Sequence, residues 1–267
     1  MTIATRPESP RADDRLVFLH GFTQTHHHWH RCASLIAARL RSPALAFVDL
    51  PGHGLSATDR TAIDQAAPLL THLGGAGTWI GYSMGARFAL VAAAQSPPEI
   101  ERLVVIGVNP GIEDATERLA RRAADDALAV RIERIGVDAF LDEWLRGPLF
   151  ASLPEDAVDR AHRRANGIDG LASSLRSAGI GSQTPLWENL GEIEIPVLVL
   201  AGEADAKFTS IGARLAGELP NATFASIRGA GHAAHTEQPA ATADAIAGWI
   251  DRQTGQPTAR PIANRTP

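Results

Sequence analysis

Residues 78–87 read Thr-Trp-Ile-Gly-Tyr-Ser-Met-Gly-Ala-Arg, and this stretch decides the fold. A short apolar run ends in Gly81-Tyr82-Ser83-Met84-Gly85, and an alanine-rich helical pattern follows at once. Gly-x-Ser-x-Gly between a strand and a helix is typical of a nucleophile elbow, a tight turn that raises the serine hydroxyl above a sheet edge. Glycines are expected at 81 and 85 because a Cβ there would collide with the neighbouring strand or helix. The stretch predicts that Ser83 is catalytic and that the Met84 amide stabilises negative charge.

The composition is that of a chain with one large core. The protein has 267 residues, 45% of them hydrophobic, and a formal net charge of −5 without a basic tract, so we expect no nucleic-acid or membrane partner. Residues 1–14 lack the apolar segment of a signal peptide, and no apolar run is long enough to span a bilayer. The single cysteine, Cys32, fits a reducing compartment. We therefore expect a cytoplasmic protein, either a monomer or a weak homo-oligomer.

Strand-like and helical patterns alternate along most of the chain. Apolar runs expected to form strands lie at 16–20, 44–49, around Trp79, and at 103–108, 195–201 and 223–227. This alternation predicts an α/β protein with a mostly parallel sheet wrapped by helices. Residues 112–190 instead show helical periodicity and many arginines, and we expect them to form an inserted helical cap over the carboxyl edge of the sheet. The predicted core is 15–111 with 191–252, and the predicted disordered tails are 1–14 and 253–267.

Two further residues complete a catalytic triad with Ser83. Asp205 follows the strand at 197–201, and His232 lies on a glycine-rich loop after the strand at 223–227. An activated serine needs a base, and the base needs an acid to orient it. The chain order Ser, Asp, His is that of the α/β-hydrolase fold, and all three residues fall at one edge of the predicted sheet. Glu203 is an alternative acid, and His235 is expected to stabilise the loop.

The loop His20-Gly21-Phe22 follows the first predicted strand of the core. A glycine at this point lets backbone amides approach a ligand closely, as an oxyanion hole requires. We predict that the amides of Phe22 and Met84 are the two donors. His20 is expected to shape the loop rather than to act as a base.

A histidine-rich tract, His26-His27-His28-Trp29-His30, lies at the start of a predicted helix. Histidines at this density can bind zinc or nickel. No carboxylate or cysteine stands at ligand spacing beside them, however. We therefore expect no functional metal and assign the tract to the rim of the pocket.

Arg87 lies four residues after Ser83, one helical turn along, which places its side chain near the nucleophile. Because arginine binds carboxylates through two parallel hydrogen bonds in partly desolvated sites, an arginine beneath an arginine-rich cap favours a small polyanionic substrate. A lipase-like cap would instead be apolar.

From Leu16 to Ile250 the chain resembles the 2-succinyl-6-hydroxy-2,4-cyclohexadiene-1-carboxylate (SHCHC) synthases of menaquinone biosynthesis. The motifs that carry the resemblance lie at 16–22, 49–54, 81–87, 109–111, 148–153, 202–208 and 229–235. Those at 16–22 and 81–85 are generic to α/β hydrolases. The arginine after the elbow, the Pro-Leu-Phe-Ala-Ser-Leu segment at 148–153 and the Asp-x-Lys-Phe motif beginning at Asp205 are more particular.

The resemblance implies a lyase that needs no cofactor. Its substrate would be SEPHCHC, an enolpyruvyl compound with three carboxylates, from which Ser83 would remove a ring proton before pyruvate leaves without an acyl-enzyme. The pathway would lead to menaquinone or phylloquinone. The resemblance also implies the residues that bind the substrate: Arg87, Arg121, Arg163, Tyr82 and Trp144. Arg164 stays open as the alternative to Arg163.

Overall fold

The computed structural model describes residues 1–5, 15–40 and 43–255. Seven strands form one sheet in the order β1-β3-β2-β4-β5-β6-β7, in which β1 is antiparallel to β3 and all other neighbours are parallel. The strands are β1 Thr2–Thr5, β2 Leu16–Leu19, β3 Leu45–Asp49, β4 Gly77–Tyr82, β5 Ile100–Ile106, β6 Val197–Gly202 and β7 Ala222–Ile227. The predicted α/β class and its mostly parallel sheet are confirmed.

Helices cover both faces of the sheet. The α-helices are α1 His30–Arg39, α2 Ala67–Gly74, α3 Met84–Ala93, α4 Ala115–Leu145, α5 Glu155–Val158, α6 Arg160–Arg163, α7 Ile168–Ala178, α8 Ala206–Glu218, α9 Ala234–Glu237 and α10 Pro239–Thr254. Short 3₁₀ helices lie at His26–Trp29, Gly54–Ser56, Ile63–Gln65, Pro148–Phe150 and Trp187–Glu192. Among the described residues, no helix combines the length and apolar character needed to cross a bilayer.

The two faces of the sheet bury two separate hydrophobic clusters. Side chains alternate along a strand, so Val17 and Leu19 of β2 point to one face and Leu16 and Phe18 to the other. The first cluster includes residues of α2, α3 and α8, and the second includes residues of α1 and α10. Both faces of the central strands are covered, which explains their continuous apolar runs.

The cap segment consists of α4 to α7 and has a small core of its own. Residues of α4 and α7 form this core, including Phe140 and Leu171. Gly136 adopts φ 78° within α4 and interrupts its helical conformation. Asp159 adopts the left-handed conformation and separates α5 from α6.

The predicted limits of the two tails need correction. Residues 2–5 form β1 instead of a disordered tail, because their backbone pairs with the otherwise free edge of β3, with Thr2 opposite Asp49. The chain remains helical to Thr254, beyond the predicted core limit of 252. Residues 6–14 and 256–267 of the predicted tails lie outside the described residues.

Candidate active site

Ser83 occupies the sharp turn between β4 and α3. Its backbone adopts φ 50° and ψ −108°, a strained conformation that places the hydroxyl at the carboxyl edge of the sheet. A Cβ at Gly81 would lie 2.5 Å from the Cα atom of Ala86, and one at Gly85 would lie 2.3 Å from the carbonyl oxygen of Leu19. A side chain at Gly81 would therefore collide with the helix, and one at Gly85 with the strand, as predicted.

Ser83, His232 and Asp205 form a connected hydrogen-bond chain. His232 Nε2 lies 3.1 Å from Ser83 Oγ, and His232 Nδ1 lies 2.9 Å from Asp205 Oδ2. Burial opposes ionisation of Asp205, but hydrogen bonds from His232 and from the Phe208 amide lower its pKa below the usual value. An ionised Asp205 only accepts, so Nδ1 of His232 carries the proton and Nε2 accepts from the serine hydroxyl.

The alternative residues around this triad have other contacts. Glu203 is exposed, and its Oε2 accepts a hydrogen bond of 3.1 Å from the Gly229 amide, at the base of the histidine loop. His235 is buried, with its ring centroid 4.3 Å from that of Tyr82 and 4.5 Å from that of Trp29. Neither side chain competes with the triad for Ser83.

Gly107, directly after β5, makes room for the histidine. It adopts φ 60°, and a Cβ built there would lie 2.9 Å from Cε1 of His232. An ordinary side chain would meet the imidazole and would also be strained in this backbone conformation. The placement of His232 thus depends on a glycine from a different strand.

The loop after β2 presents the second candidate oxyanion donor. Thr23 has φ 65°, and its amide donates to Nε2 of His53 at 3.3 Å, which sets the direction of the neighbouring Phe22 amide. In the described part of the chain, the amides of Phe22 and Met84 are paired with no acceptor. Both residues line the same cavity as Ser83.

His20 and His53 hold this loop from beneath. His20 Nδ1 donates to the Gly21 carbonyl at 2.8 Å, and its Nε2 accepts from the Leu50 amide at 3.1 Å. Burial lowers the pKa of His20, and burial together with His20 lowers that of His53 to about 3. Both rings are neutral at neutral pH and fully used in hydrogen bonds, so they shape the loop and are not bases.

A cavity of about 370 Å³ opens above Ser83 between the core and the cap. Its walls include Ser83, three cationic side chains and a large apolar surface. The lining residues include Phe22, Ser83, Met84, Arg87, Arg121, Asp125, Leu128, Trp144, Leu149, Leu175, Ile180, Lys207, Phe208 and His232. This combination of cations and apolar walls suits a small organic anion.

Arg87 is held in place from both ends of its guanidinium. Nη1 donates to Gln183 Oε1 at 3.0 Å, and Nη2 donates to the Ala178 carbonyl at 2.6 Å. Burial lowers the pKa of Arg87 to about 10, so the group remains cationic at neutral pH. A fixed and partly desolvated guanidinium of this kind binds carboxylates strongly.

Arg121 extends from α4 into the cavity wall and forms an ion pair with Asp125. Its Nε donates to Asp125 Oδ1 at 2.8 Å, and the Arg121 side chain is 43% exposed. Asp125 is buried, and its Oδ2 has no hydrogen-bond partner among the described residues. A bound carboxylate would therefore compete with Asp125 for this arginine.

The remaining predicted substrate residues are divided between the cavity and the layer behind it. Trp144 lines the cavity, and its ring lies 5.4 Å from that of Phe22. Tyr82 and Arg163 are buried outside the lining. Arg163 donates to the Val158 carbonyl at 2.7 Å and to the Thr23 hydroxyl, while its Nη2 has no partner among the described residues. Arg164 is exposed and pairs with Asp138, so Arg163 is the inward one.

Several residues at this site were missed at the sequence level. Lys207 belongs to the Asp-x-Lys-Phe motif, whose position after a strand-end acid was a usable signal. Gly107, Asp125 and Gln183 carried no such signal, because each acts on a residue distant in sequence.

Comparisons with known proteins agree with this fold. The model of the alpha/beta hydrolase family matches residues 16–245. The 2-succinyl-6-hydroxy-2,4-cyclohexadiene-1-carboxylate synthase of Salmonella typhimurium is 34% identical over 87% of this chain and 92% of its own length, and that of Citrobacter koseri is 35% identical with the same coverage. MenH from S. aureus superposes with a TM-score of 0.87 at 31% identity, covering 94% of this chain and 98% of that one.

The fold is shared with hydrolases of other kinds. A thermophilic esterase from Thermogutta terrifontis superposes with a TM-score of 0.76 at 21% identity, over 94% of this chain and 93% of its own. The chain is a member of the alpha/beta hydrolase family, the class defined by this sheet and this elbow. Within that class, its identity to the relatives from Salmonella and Citrobacter over nearly their whole length places it in the SHCHC synthase family.

Proposed function

We propose that this protein is an SHCHC synthase, a carbon–oxygen lyase that converts SEPHCHC to SHCHC and pyruvate in menaquinone or phylloquinone biosynthesis. Membership of the SHCHC synthase family supports the proposal. The observation that carries it is the joint lining of one cavity by Ser83, Arg87, Arg121 and Lys207. A strong proton acceptor beside three cations is what proton removal from a tricarboxylate requires.

In the proposed reaction, Ser83 is a base rather than a nucleophile. His232 takes the hydroxyl proton, Asp205 stabilises the imidazolium, and the serine oxygen removes the ring proton next to the succinyl carbonyl. Negative charge develops on that carbonyl oxygen, where the amides of Phe22 and Met84 donate. The electron pair then forms the ring double bond as the carbon–oxygen bond to the enolpyruvyl group breaks, and protonation of the departing enolate yields pyruvate.

Each step moves a proton or an electron pair within the substrate, so no redox cofactor takes part. The side chains of the triad supply the only acid and base that the scheme needs. No metal ion has a step in it.

The substrate carboxylates are assigned to the cationic side chains. Arg87, fixed by Gln183 and Ala178, is placed to bind one carboxylate bidentately, and Arg121 with Lys207 would bind a second. We assign the third to Arg163, whose buried Nη2 lacks an acceptor within the described residues; because Arg163 lies outside the cavity lining, its side chain would have to move to meet the substrate. A buried guanidinium nitrogen left unpaired costs free energy that a carboxylate would recover.

Trp144 is proposed to hold the substrate ring, and Tyr82, which lies outside the cavity lining, to support the triad from behind. Trp144 provides an aromatic wall of the cavity opposite the core, against Phe22. Tyr82 lies behind the triad, with its ring 5.3 Å from that of His232, and would keep the base dry. We also assign the enzyme to the cytoplasm, whose reducing conditions fit the single cysteine, Cys32.

A second function has a specific observation in its favour. The triad geometry is also suited to acyl transfer, and the fold is shared with an esterase. An esterase that accepts a carboxylate-bearing ester or thioester would use the same oxyanion donors. It would differ in forming a covalent acyl-enzyme on Ser83.

One assay separates the two functions. The purified protein is incubated with SEPHCHC while pyruvate is followed with a coupled dehydrogenase, and the protein is examined by intact-mass spectrometry during turnover. We expect stoichiometric release of pyruvate and SHCHC with no mass adduct. Faster turnover of simple carboxylate esters together with an acyl adduct on Ser83 would refute the lyase assignment.

A further inference from the structure

The histidine-rich tract gathers more closely in space than its position in the sequence indicated. His26 and His27 belong to a short 3₁₀ helix, and His30 begins α1 directly after it. One ring nitrogen from each of the three lies within 4.8 Å of those of the other two. We call His26, His27 and His30 the histidine cluster. Slight side-chain rotations bring three imidazoles at this spacing onto one metal ion.

A buried carboxylate orients one member of the cluster. Asp49, at the end of β3, lies 2.8 Å from His26 Nδ1 through Oδ2 and accepts from the His26 amide at 2.8 Å through Oδ1. With Nδ1 bound to a carboxylate, the tautomer is fixed and Nε2 becomes the more basic nitrogen. This carboxylate–histidine pair is the usual support of a metal-binding imidazole.

The cap adds a fourth histidine beside the cluster. His162 of α6 stacks on His27, with ring centroids 3.9 Å apart and an interplanar angle of 23°. Its Nδ1 lies 2.7 Å from Asp159 Oδ2, so it too is oriented by a carboxylate. The cluster therefore lies where the core meets the helix that ends in Arg163.

The three imidazole nitrogens of the cluster, with no thiolate beside them, are suited to zinc among the common divalent ions.

We propose that His26, His27 and His30 bind one Zn²⁺ ion at the junction of core and cap. The ion is structural and links the 3₁₀ helix to the start of α1, while Asp49 anchors the bound His26 to the end of β3. It takes no part in the reaction assigned above, so the two proposals stand or fall separately. The sequence argued against a metal because no carboxylate lies at ligand spacing in the tract. In the folded protein, Asp49 of β3 supplies a carboxylate beside His26.

Calorimetric titration of the full-length, chelator-treated protein with ZnCl₂ tests the site. We expect one ion per chain, and at least about a tenfold loss of affinity in the double variant His27→Gln/His30→Gln. His72→Gln, which changes an exposed histidine on α2, is the matched control and should bind as the wild type does. Circular dichroism of each variant shows whether it has folded.

A second readout does not depend on the calorimeter. Saturating Zn²⁺ should raise the Tm of the wild type and of His72→Gln but leave that of the folded double variant unchanged. The proposal is overturned if the wild type binds no stoichiometric ion, or if the double variant binds or is stabilised like the wild type. Loss of the ion in His162→Gln alone would overturn the assignment of the three ligands.

Discussion

The core side and the cap side of the cavity are built in different ways. On the core side, backbone turns at strand ends place the functional groups, as the positive φ angles of Ser83 and Gly107 illustrate. On the cap side, Arg121 and Trp144 project from the helical surface of α4. The reaction type therefore depends on backbone geometry, whereas substrate choice depends on side chains that are easily exchanged.

The charges around the two sides differ as well. Several arginines of the cap form ion pairs with acids near the surface, as Arg164 does with Asp138 and Arg176 with Glu133. Such pairs contribute little to stability because water and salt screen them. Arg87 of the core is instead half-buried, and its guanidinium donates to a backbone carbonyl and to a side-chain amide oxygen. Charge number alone does not identify a binding arginine; desolvation and fixed donors do.

Loss of the proposed base should have the largest effect. We expect Ser83→Ala to lower kcat for pyruvate release by at least about 10³-fold, because no other described group replaces the serine oxygen next to His232. Steady-state kinetics with unchanged circular dichroism measures this. A variant that retained more than about a tenth of the activity would remove Ser83 from the mechanism.

The contrast between Arg87 and the cap arginines predicts the next largest effect. Arg87→Ala should lower kcat/KM by a factor that corresponds to a loss of about 2–5 kcal/mol of transition-state stabilisation. The reason is that the substitution leaves a substrate carboxylate unpaired in a partly desolvated site. Arg164→Ala is the matched control, and with its exposed ion pair it should change kcat/KM less than about twofold. Equal effects of the two substitutions would contradict the division between fixed and solvated arginines.

A methyl group behind the catalytic histidine tests the backbone side directly. Gly107→Ala should push the His232 ring from Ser83 and lower kcat by up to about 10²-fold, with a smaller change in KM. Gly217→Ala is the control, since nothing lies within 4 Å of its new Cβ. A wild-type kcat in Gly107→Ala would show that a side chain at position 107 does not displace the His232 ring.

The buried histidines of the core predict acid sensitivity. Unfolded His53 binds a proton near pH 6.5, whereas burial lowers the folded pKa to about 3. Below pH 6.5 the unfolded state therefore binds more protons, and the free energy of unfolding falls as pH falls. We expect His53 to contribute a loss of about 1 kcal/mol between pH 6.5 and about 5.5.

Denaturant unfolding at the two pH values measures this loss. His53→Gln keeps a donor and an acceptor for the loop but cannot titrate, so its stability should fall less than that of the wild type. His72→Gln, on the surface, should fall as much as the wild type does. An identical decline in all three proteins would exclude His53 as a source of the acid sensitivity.

Most of the sheet and the triad residues were predictable from local patterns. Asp205 and His232 each follow an apolar strand, and parallel strands bring their carboxyl ends to one edge. The proximity of Ser83, Asp205 and His232 is thus a consequence of chain order and strand direction. The strand at Thr2–Thr5 was not predictable, because its formation depends on the free edge of β3 rather than on its own composition.

The side chains of the cap that face inward could not be predicted from local patterns. Arg163 and Arg164 are adjacent, and only the contacts of Arg163 with Thr23 and Val158 turn it inward. Likewise, Asp49 reaches His26 only because β3 ends beside the 3₁₀ helix. A helix presents side chains all round its axis, and the packing of distant segments selects the face that is buried.

The succession of core strands along the chain, the elbow and the candidate triad residues followed from the residue pattern, because strand ends and tight turns obey local steric rules. The folded molecule alone decided which arginines meet the cavity, that Asp125 and Lys207 join them, and that four histidines gather beside the cap. These contacts join residues far apart in the chain, and only packing brings such residues within hydrogen-bond distance.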